Sequence, residues 1–132
     1  MPSFRWPLRI QFVDTDASRR IHYTATLRHF ETAEVEFLRS IGCPYQHIED
    51  DEVALPRVHV ECDYLAPMTY DDLVEIGVGV ERVGNASFTL AFEVTLDGQP
   101  TAKGKIVVAA MDRRTGRPRR LPEKLAEALR NA

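Results

Sequence analysis

A chain of 132 residues is long enough for one hydrophobic core and too short for two, so residues 1–132 read as a single domain. Its 44% apolar and 28% charged residues are those of a folded soluble chain rather than a disordered or membrane-spanning one. A formal charge of -3 argues against a partner nucleic acid or an anionic membrane surface.

The first stretch, residues 4–13, alternates Phe4, Trp6, Leu8, Ile10 and Phe12 with Arg5, Arg9 and Gln11, a period of two that predicts a strand with one apolar face. Pro7 has no N–H to give a ladder and assigns this strand to a sheet edge. A polar loop over 14–22 follows. Residues 24–41 then carry Leu27, Phe30, Ala33, Phe37 and Ile41 at spacings of three and four, with Val35 and Leu38 widening the stripe. Arg28, Glu31, Glu34 and Arg39 mark the wetter sides of this long helix, and Gly42 with Pro44 ends it. Residues 44–51 read as a short irregular or one-turn segment that runs into the acidic Glu49-Asp50-Asp51-Glu52.

Strands dominate the rest. Residues 53–65 place Val58, Val60, Cys62 and Tyr64 on one face, and 67–72 form a turn. Residues 73–83 place Val74, Ile76, Val78 and Val80 together, and residues 86–96 do the same with Phe88, Leu90, Phe92 and Val94. Gly84-Asn85 and Asp97-Gly98 mark hairpin turns, the second of type I′. Residues 101–111 become wholly apolar at 106–110, as an interior strand would. Residues 113–122 form a polar turn, and 123–130 a short helix. One helix with a continuous apolar stripe needs a sheet to cover it. The simplest arrangement is α+β, with an antiparallel sheet of five strands curled around the long helix and the last four strands meandering.

Cys43 and Cys62 match neither a disulfide framework nor a CxxC pair, and are expected reduced, as in a cytoplasmic protein. The N-terminal residues lack an apolar signal core, and no stretch approaches the roughly 18 apolar residues of a membrane span. No HExxH metal site and no Gly-x-Ser-x-Gly elbow occurs, and His59 and Cys62 point to opposite faces of their strand. Two carboxylates, Asp14 and Asp16, stand just before the long helix. A carboxylate there can act as base or nucleophile while the helix N-terminal amides receive a developing oxyanion. Asp16 can equally cap the helix or shape a turn, and Asp14 reads as a loop hydrogen-bonder. Arg113, Arg114, Arg117, Arg119 and Arg120 lie within eight residues. That run suits phosphate docking by guanidinium forks, with Arg57, Lys103 and Lys105 as weaker candidates; a solvated turn is the plain alternative.

The element order, together with four short stretches, resembles the hotdog-fold thioesterases of the 4-hydroxybenzoyl-CoA thioesterase-like and YbgC-like branch. Those stretches are Asp14-Thr15-Asp16-Ala17, Phe30-Glu31-Thr32-Ala33-Glu34, Asp63-Tyr64-Leu65-Ala66-Pro67, and the run from Asp112 through Thr115 to Leu121-Pro122. The resemblance spans nearly the whole chain. It implies a hotdog fold and an acyl-CoA thioesterase working without a metal, with no cofactor beyond the coenzyme A of the substrate. It implies Asp16 as the catalytic carboxylate and the backbone N–H near Tyr23 as donor to the thioester carbonyl; His22 is a candidate to orient substrate or Asp16, with an ordinary loop or interface histidine as the plain alternative. It implies a homodimer or homotetramer whose sites are shared between subunits. Substrate phosphates would meet Arg57, Arg113, Arg114 and Arg117. An acyl-carrier-protein thioesterase and a non-catalytic acyl-CoA binder are the rival readings. The sequence departs from the family where Arg19 occupies a position usually held by glycine, and where the pair His22-Tyr23 replaces Tyr-His.

Overall fold

The protein is described by a computed structural model covering residues 4–132. Strand β1 is Phe4–Arg9, and helix α1 is Ala25–Ser40; a two-residue strand β2 (Val53–Ala54) precedes β3 (Arg57–Tyr64). The remaining elements are β4 (Leu73–Val83), β5 (Ser87–Leu96), β6 (Gln99–Ala109), the short β7 (Met111–Asp112) and helix α2 (Glu123–Arg130). Five strands form one antiparallel sheet in the order β1-β4-β5-β6-β3, and β2 pairs antiparallel with β7 beside it. The sheet holds α1 against its apolar face, which is the hotdog architecture, and α2 buries Leu125, Ala126 and Leu129.

Alternation explains the sheet. Val74, Ile76 and Val78 of β4, Phe88, Leu90, Phe92 and Val94 of β5, and Ala102, Ile106 and Val108 of β6 are all buried in one core. Helix α1 adds Phe30, Ala33, Phe37 and Leu38, and the rings of Phe30 and Phe92 stack 4.6 Å apart at 14°. The approach is close because position 104 has no side chain. A Cβ there would overlap the carbonyl oxygen of Glu61 and lie 2.7 Å from Cε2 of Phe30. The Asp97-Gly98 turn carries φ values of 51° and 79°, as type I′ requires. At the end of α1, Gly42 takes φ 81° while the amides of Gly42 and Cys43 return to the carbonyls of Arg39 and Leu38, a Schellman stop.

Four expectations are corrected. Strand β1 ends at Arg9 rather than running to residue 13, and Phe12–Asp14 forms a single 3-10 turn. There the carboxylate of Asp14 accepts the amide of Gln11 at 2.8 Å, a local bond that competes with the sheet ladder. Phe12 and Val13 are consequently exposed, with Phe12 edge-on to Tyr70. Glu34 belongs to the buried face of α1, with 1% of its surface accessible. The stretch 53–65 breaks at Leu55-Pro56 into β2 and β3. The meander takes in β4, β5 and β6 and leaves β3 outside β6, with its outer edge unpaired among the described residues and Val58 60% exposed.

Candidate active site

The loop between β1 and α1 is a small closed structure. Thr15 and Ile21 form an antiparallel bridge, Arg19 N–H donates to the carbonyl of Asp16 at 2.9 Å, and Asp16 N–H donates to that of Arg20 at 3.1 Å. Arg19 sits at φ 66°, in the left-handed region, so the conformation that favours glycine is kept with arginine in its place. The loop is fastened outward as well: Arg20 bridges to Thr69, and Ile21 N–H donates to Met68 at 2.9 Å.

Within the loop the two carboxylates divide. Asp14 is buried, with His29 Nε2 at 3.2 Å and Arg28 at 3.3 Å, and its carbonyl accepts His22 N–H at 2.7 Å. It is a structural anchor, as the loop reading expected. Burial holds the imidazole of His29 below the ordinary histidine range, against the pull of Asp14. Asp16 is exposed. Its Oδ1 accepts Ser18 Oγ–H at 2.6 Å and Ser18 N–H at 2.8 Å, an Asx turn that lowers its proton affinity and leaves Oδ2 without a partner among the described residues. Asp16 therefore shapes a turn and still presents one free carboxylate oxygen.

His22 and Tyr23 link this loop to α1. The His22 ring stacks on Tyr23 at 4.5 Å, and its Nδ1 meets Thr24 Oγ1 at 2.7 Å and accepts Thr24 N–H at 3.2 Å. The amide of Tyr23 donates to no group among the described residues, as the first amides of a helix are free to do. Its carbonyl accepts the hydroxyl of Tyr64, from the end of β3. Burial and the neighbouring Cys62 push the Tyr64 phenol up to about 12, so it stays a donor throughout the physiological range. Tyr23, Tyr64, Ile21, Leu65, Ala66, Pro67 and Arg20 line a cleft of about 360 Å³, within the usual range of small-molecule sites. Sequence patterning noticed Tyr64 only as part of a strand end and did not single out Arg20.

The arginines lie elsewhere. Arg57 is committed to Glu34, to the hydroxyl of Tyr45 at 3.2 Å and to the carbonyl of Leu55 at 2.9 Å, with its guanidinium over the Tyr45 ring. Burial raises the carboxyl of Glu34 above its ordinary range, and Arg57 opposes the shift. Arg113 binds Glu49 at 3.1 Å and the carbonyls of Asp50 and Val53. Arg57 clamps β3 to α1 and the 44–55 segment, and Arg113 clamps the turn after β7 to that same segment. Arg114 and Arg117 are exposed and make no ion pair among the described residues. Strand β3 runs from Arg57 at this end to Tyr64 at the cleft, seven steps of about 3.3 Å or roughly 23 Å. Within one chain the loop and the arginines do not meet. Among the described residues no group of three or more His, Cys, Asp or Glu could hold a metal, and no helix is long and apolar enough to cross a membrane.

A profile described as the thioesterase-like superfamily matches residues 10–129. The crystal structure of a hypothetical protein from Aquifex aeolicus superposes with a TM-score of 0.89 at 30% identity, covering 96% of this chain and 98% of that one. A 1,4-dihydroxy-2-naphthoyl-CoA hydrolase of Synechococcus is 30% identical over 93% of this chain and 89% of its own length. The acyl-CoA thioester hydrolase YbgC of Escherichia coli is 26% identical over 92% of each.

Proposed function

The chain belongs to the thioesterase-like superfamily, and we propose that it is an acyl-CoA thioester hydrolase in which Asp16 supplies the reacting oxygen and the Tyr23 amide receives the thioester oxyanion. The observation that carries this reading is that the loop leading into α1 holds two unoccupied groups. Among the described residues the Tyr23 N–H has no acceptor and Asp16 Oδ2 has no donor, on a loop closed by its own backbone bonds. Such a donor is worth about 3 kcal/mol when aimed at the developing oxyanion. The hydrogen bonds from Ser18 lower the proton affinity of Asp16, which favours its ionised form.

Two routes use that oxygen. Oδ2 attacks the carbonyl carbon, the C–S bond breaks, coenzyme A leaves as thiolate, and water hydrolyses the mixed anhydride; or Asp16 takes a proton from a water that attacks instead. His22, stacked on Tyr23 and electrostatically coupled to Asp16, orients the pair. No metal takes part in either route as proposed. The conformation of Arg19 favours this reading over a non-catalytic binder, because the loop keeps its shape without glycine.

The open edge of β3 favours a homodimer, or a tetramer of two such dimers. Unpaired strand edges with exposed valines are templates for a second strand. Antiparallel pairing of two β3 edges sets the arginine end of one chain beside the cleft end of the other. The partner's exposed Arg114 and Arg117 would then reach the substrate phosphates, with Arg113 holding their turn to the 44–55 segment and Arg57 bracing that segment. An acidic carrier protein would meet the same guanidinium groups, so the screen includes carrier-bound thioesters.

Asp16→Asn keeps the Asx turn and removes the carboxylate. Over a panel of short, long and aromatic acyl groups, each as the coenzyme A and as the carrier-protein thioester, with EDTA present, wild type should turn over at least one acyl-CoA member and the variant should lose 100-fold or more of kcat (about 3 kcal/mol). Wild-type rates in the variant would end the proposal.

A further inference from the structure

Arg20 differs from the arginines that are held in ion pairs. Arg9, Arg28, Arg39, Arg57 and Arg113 each face a carboxylate. The guanidinium of Arg20 has no ion-pair or hydrogen-bond partner among the described residues, yet it lines the cleft that contains Tyr23. Every other residue of that lining is uncharged: Ile21, Leu65, Ala66, Pro67 and two tyrosine rings. Its backbone is also fixed. The Arg20 amide donates to Ser18 Oγ at 3.2 Å, its carbonyl accepts from Asp16, and the residue bridges to Thr69. An exposed cation whose backbone is held by the loop, beside an apolar wall and with no carboxylate partner among the described residues, is suited to pair with an anionic ligand.

We propose that Arg20 is a specificity-determining residue, which pairs with a carboxylate carried by the acyl group of the substrate. This rests on the thioesterase reading and deepens it by naming a substrate class, thioesters of dicarboxylic or carboxylated aromatic acids. If Tyr23 N–H holds the thioester carbonyl, the acyl group beyond that carbon enters the cleft, where the tyrosine rings and Leu65 cover its apolar part and Arg20 meets its anionic end. Coenzyme A phosphates are the other possible source of an anion here. The apolar lining favours the acyl side, and the unpaired Arg114 and Arg117 lie outside the cleft.

The test compares two five-carbon acyl groups, glutaryl and valeryl, each as the coenzyme A thioester and as the N-acetylcysteamine thioester, which lacks the nucleotide. Wild type should prefer glutaryl in both series. Arg20→Gln should lower the glutaryl-to-valeryl ratio of kcat/KM by roughly 10- to 100-fold in both, mainly through KM, with Arg20→Lys recovering part of it. An unchanged ratio overturns the proposal. So does a loss that is equal for both acyl groups and confined to the coenzyme A series, which would assign the guanidinium to phosphate. Calorimetric binding of glutaryl-CoA and valeryl-CoA to wild type and Arg20→Gln gives the same selectivity without turnover. Absence of hydrolysis would therefore sink the thioesterase reading while the claim for Arg20 is still decided by binding.

Discussion

Gly104→Ala puts one methyl group where the fold has no room for it. The added Cβ would overlap the Glu61 carbonyl oxygen on β3 and sit 2.7 Å from Cε2 and 3.2 Å from Cζ of Phe30. Neither neighbour yields cheaply. Glu61 O belongs to a paired strand, and the Phe30 ring is wholly buried and stacked on Phe92. Overpacking a filled core costs about 1–3 kcal/mol, and collision with backbone places this case at the upper end, about 3 kcal/mol. For a domain of this size that is a fall of about 10 °C in Tm. Gly84→Ala is the matched control: its φ is unexceptional and its Cβ would find Ser87 O at an ordinary 3.4 Å, so a change within about 0.5 kcal/mol is expected. Urea and thermal unfolding of both variants, at one protein concentration, read the difference. If Gly104→Ala unfolds like the control, the distance between α1 and the sheet is not set by the missing side chain, and the packing argument fails.

Two further outcomes concern the loop. Because burial depresses the proton affinity of His29, the folded state binds that proton less readily than the unfolded one; its stability is complete above about pH 6.5 and drains as pH falls below that value. Tm should therefore drop between pH 7.5 and 5, with a shallower slope in His29→Gln; parallel slopes would refute the assignment. Arg19 holds φ 66° against a cost of about 1–2 kcal/mol for a side chain in that region, partly offset by the looser unfolded chain of glycine. Arg19→Gly should gain up to about 1 kcal/mol and Arg19→Val should lose about that much, by chemical denaturation; a loss with glycine would show that the loop is held open by something other than its backbone.

Local chemistry made much of the fold legible. The alternation of Phe88, Leu90, Phe92 and Val94, the Asp97-Gly98 turn and the Gly42 stop each depend on neighbours within a few residues, and each is where the pattern puts it. What stayed hidden depends on distant partners. Glu34 reads as a wet position by helical spacing, and only Arg57, 23 residues on, makes its burial tolerable. Phe12 and Val13 continue the strand pattern, but the carboxylate of Asp14 takes the Gln11 amide away from the ladder. Val58 and Val60 look like core, yet the strand order places them on an edge, and order across a sheet is not encoded in periodicity. Around the candidate site, Asp14 and Asp16 are indistinguishable by type, and burial separates them. The contribution of Tyr64 could not be read at all, since its bond to Tyr23 joins residues 41 positions apart.

That last tie bears on when the protein becomes competent. The loop is translated among the first two dozen residues, but its outward fastenings go to Tyr64, Met68 and Thr69. A ribosome that has released all of α1 has thus released Arg20, Ile21 and Tyr23 but none of the residues 64–67 that form the cleft's other wall. The mouth of the helix takes its final form only once the distal end of β3 is available, and closing a loop of some forty residues is among the slower steps a small domain makes. The cleft is thus completed by segments far from the loop in the chain.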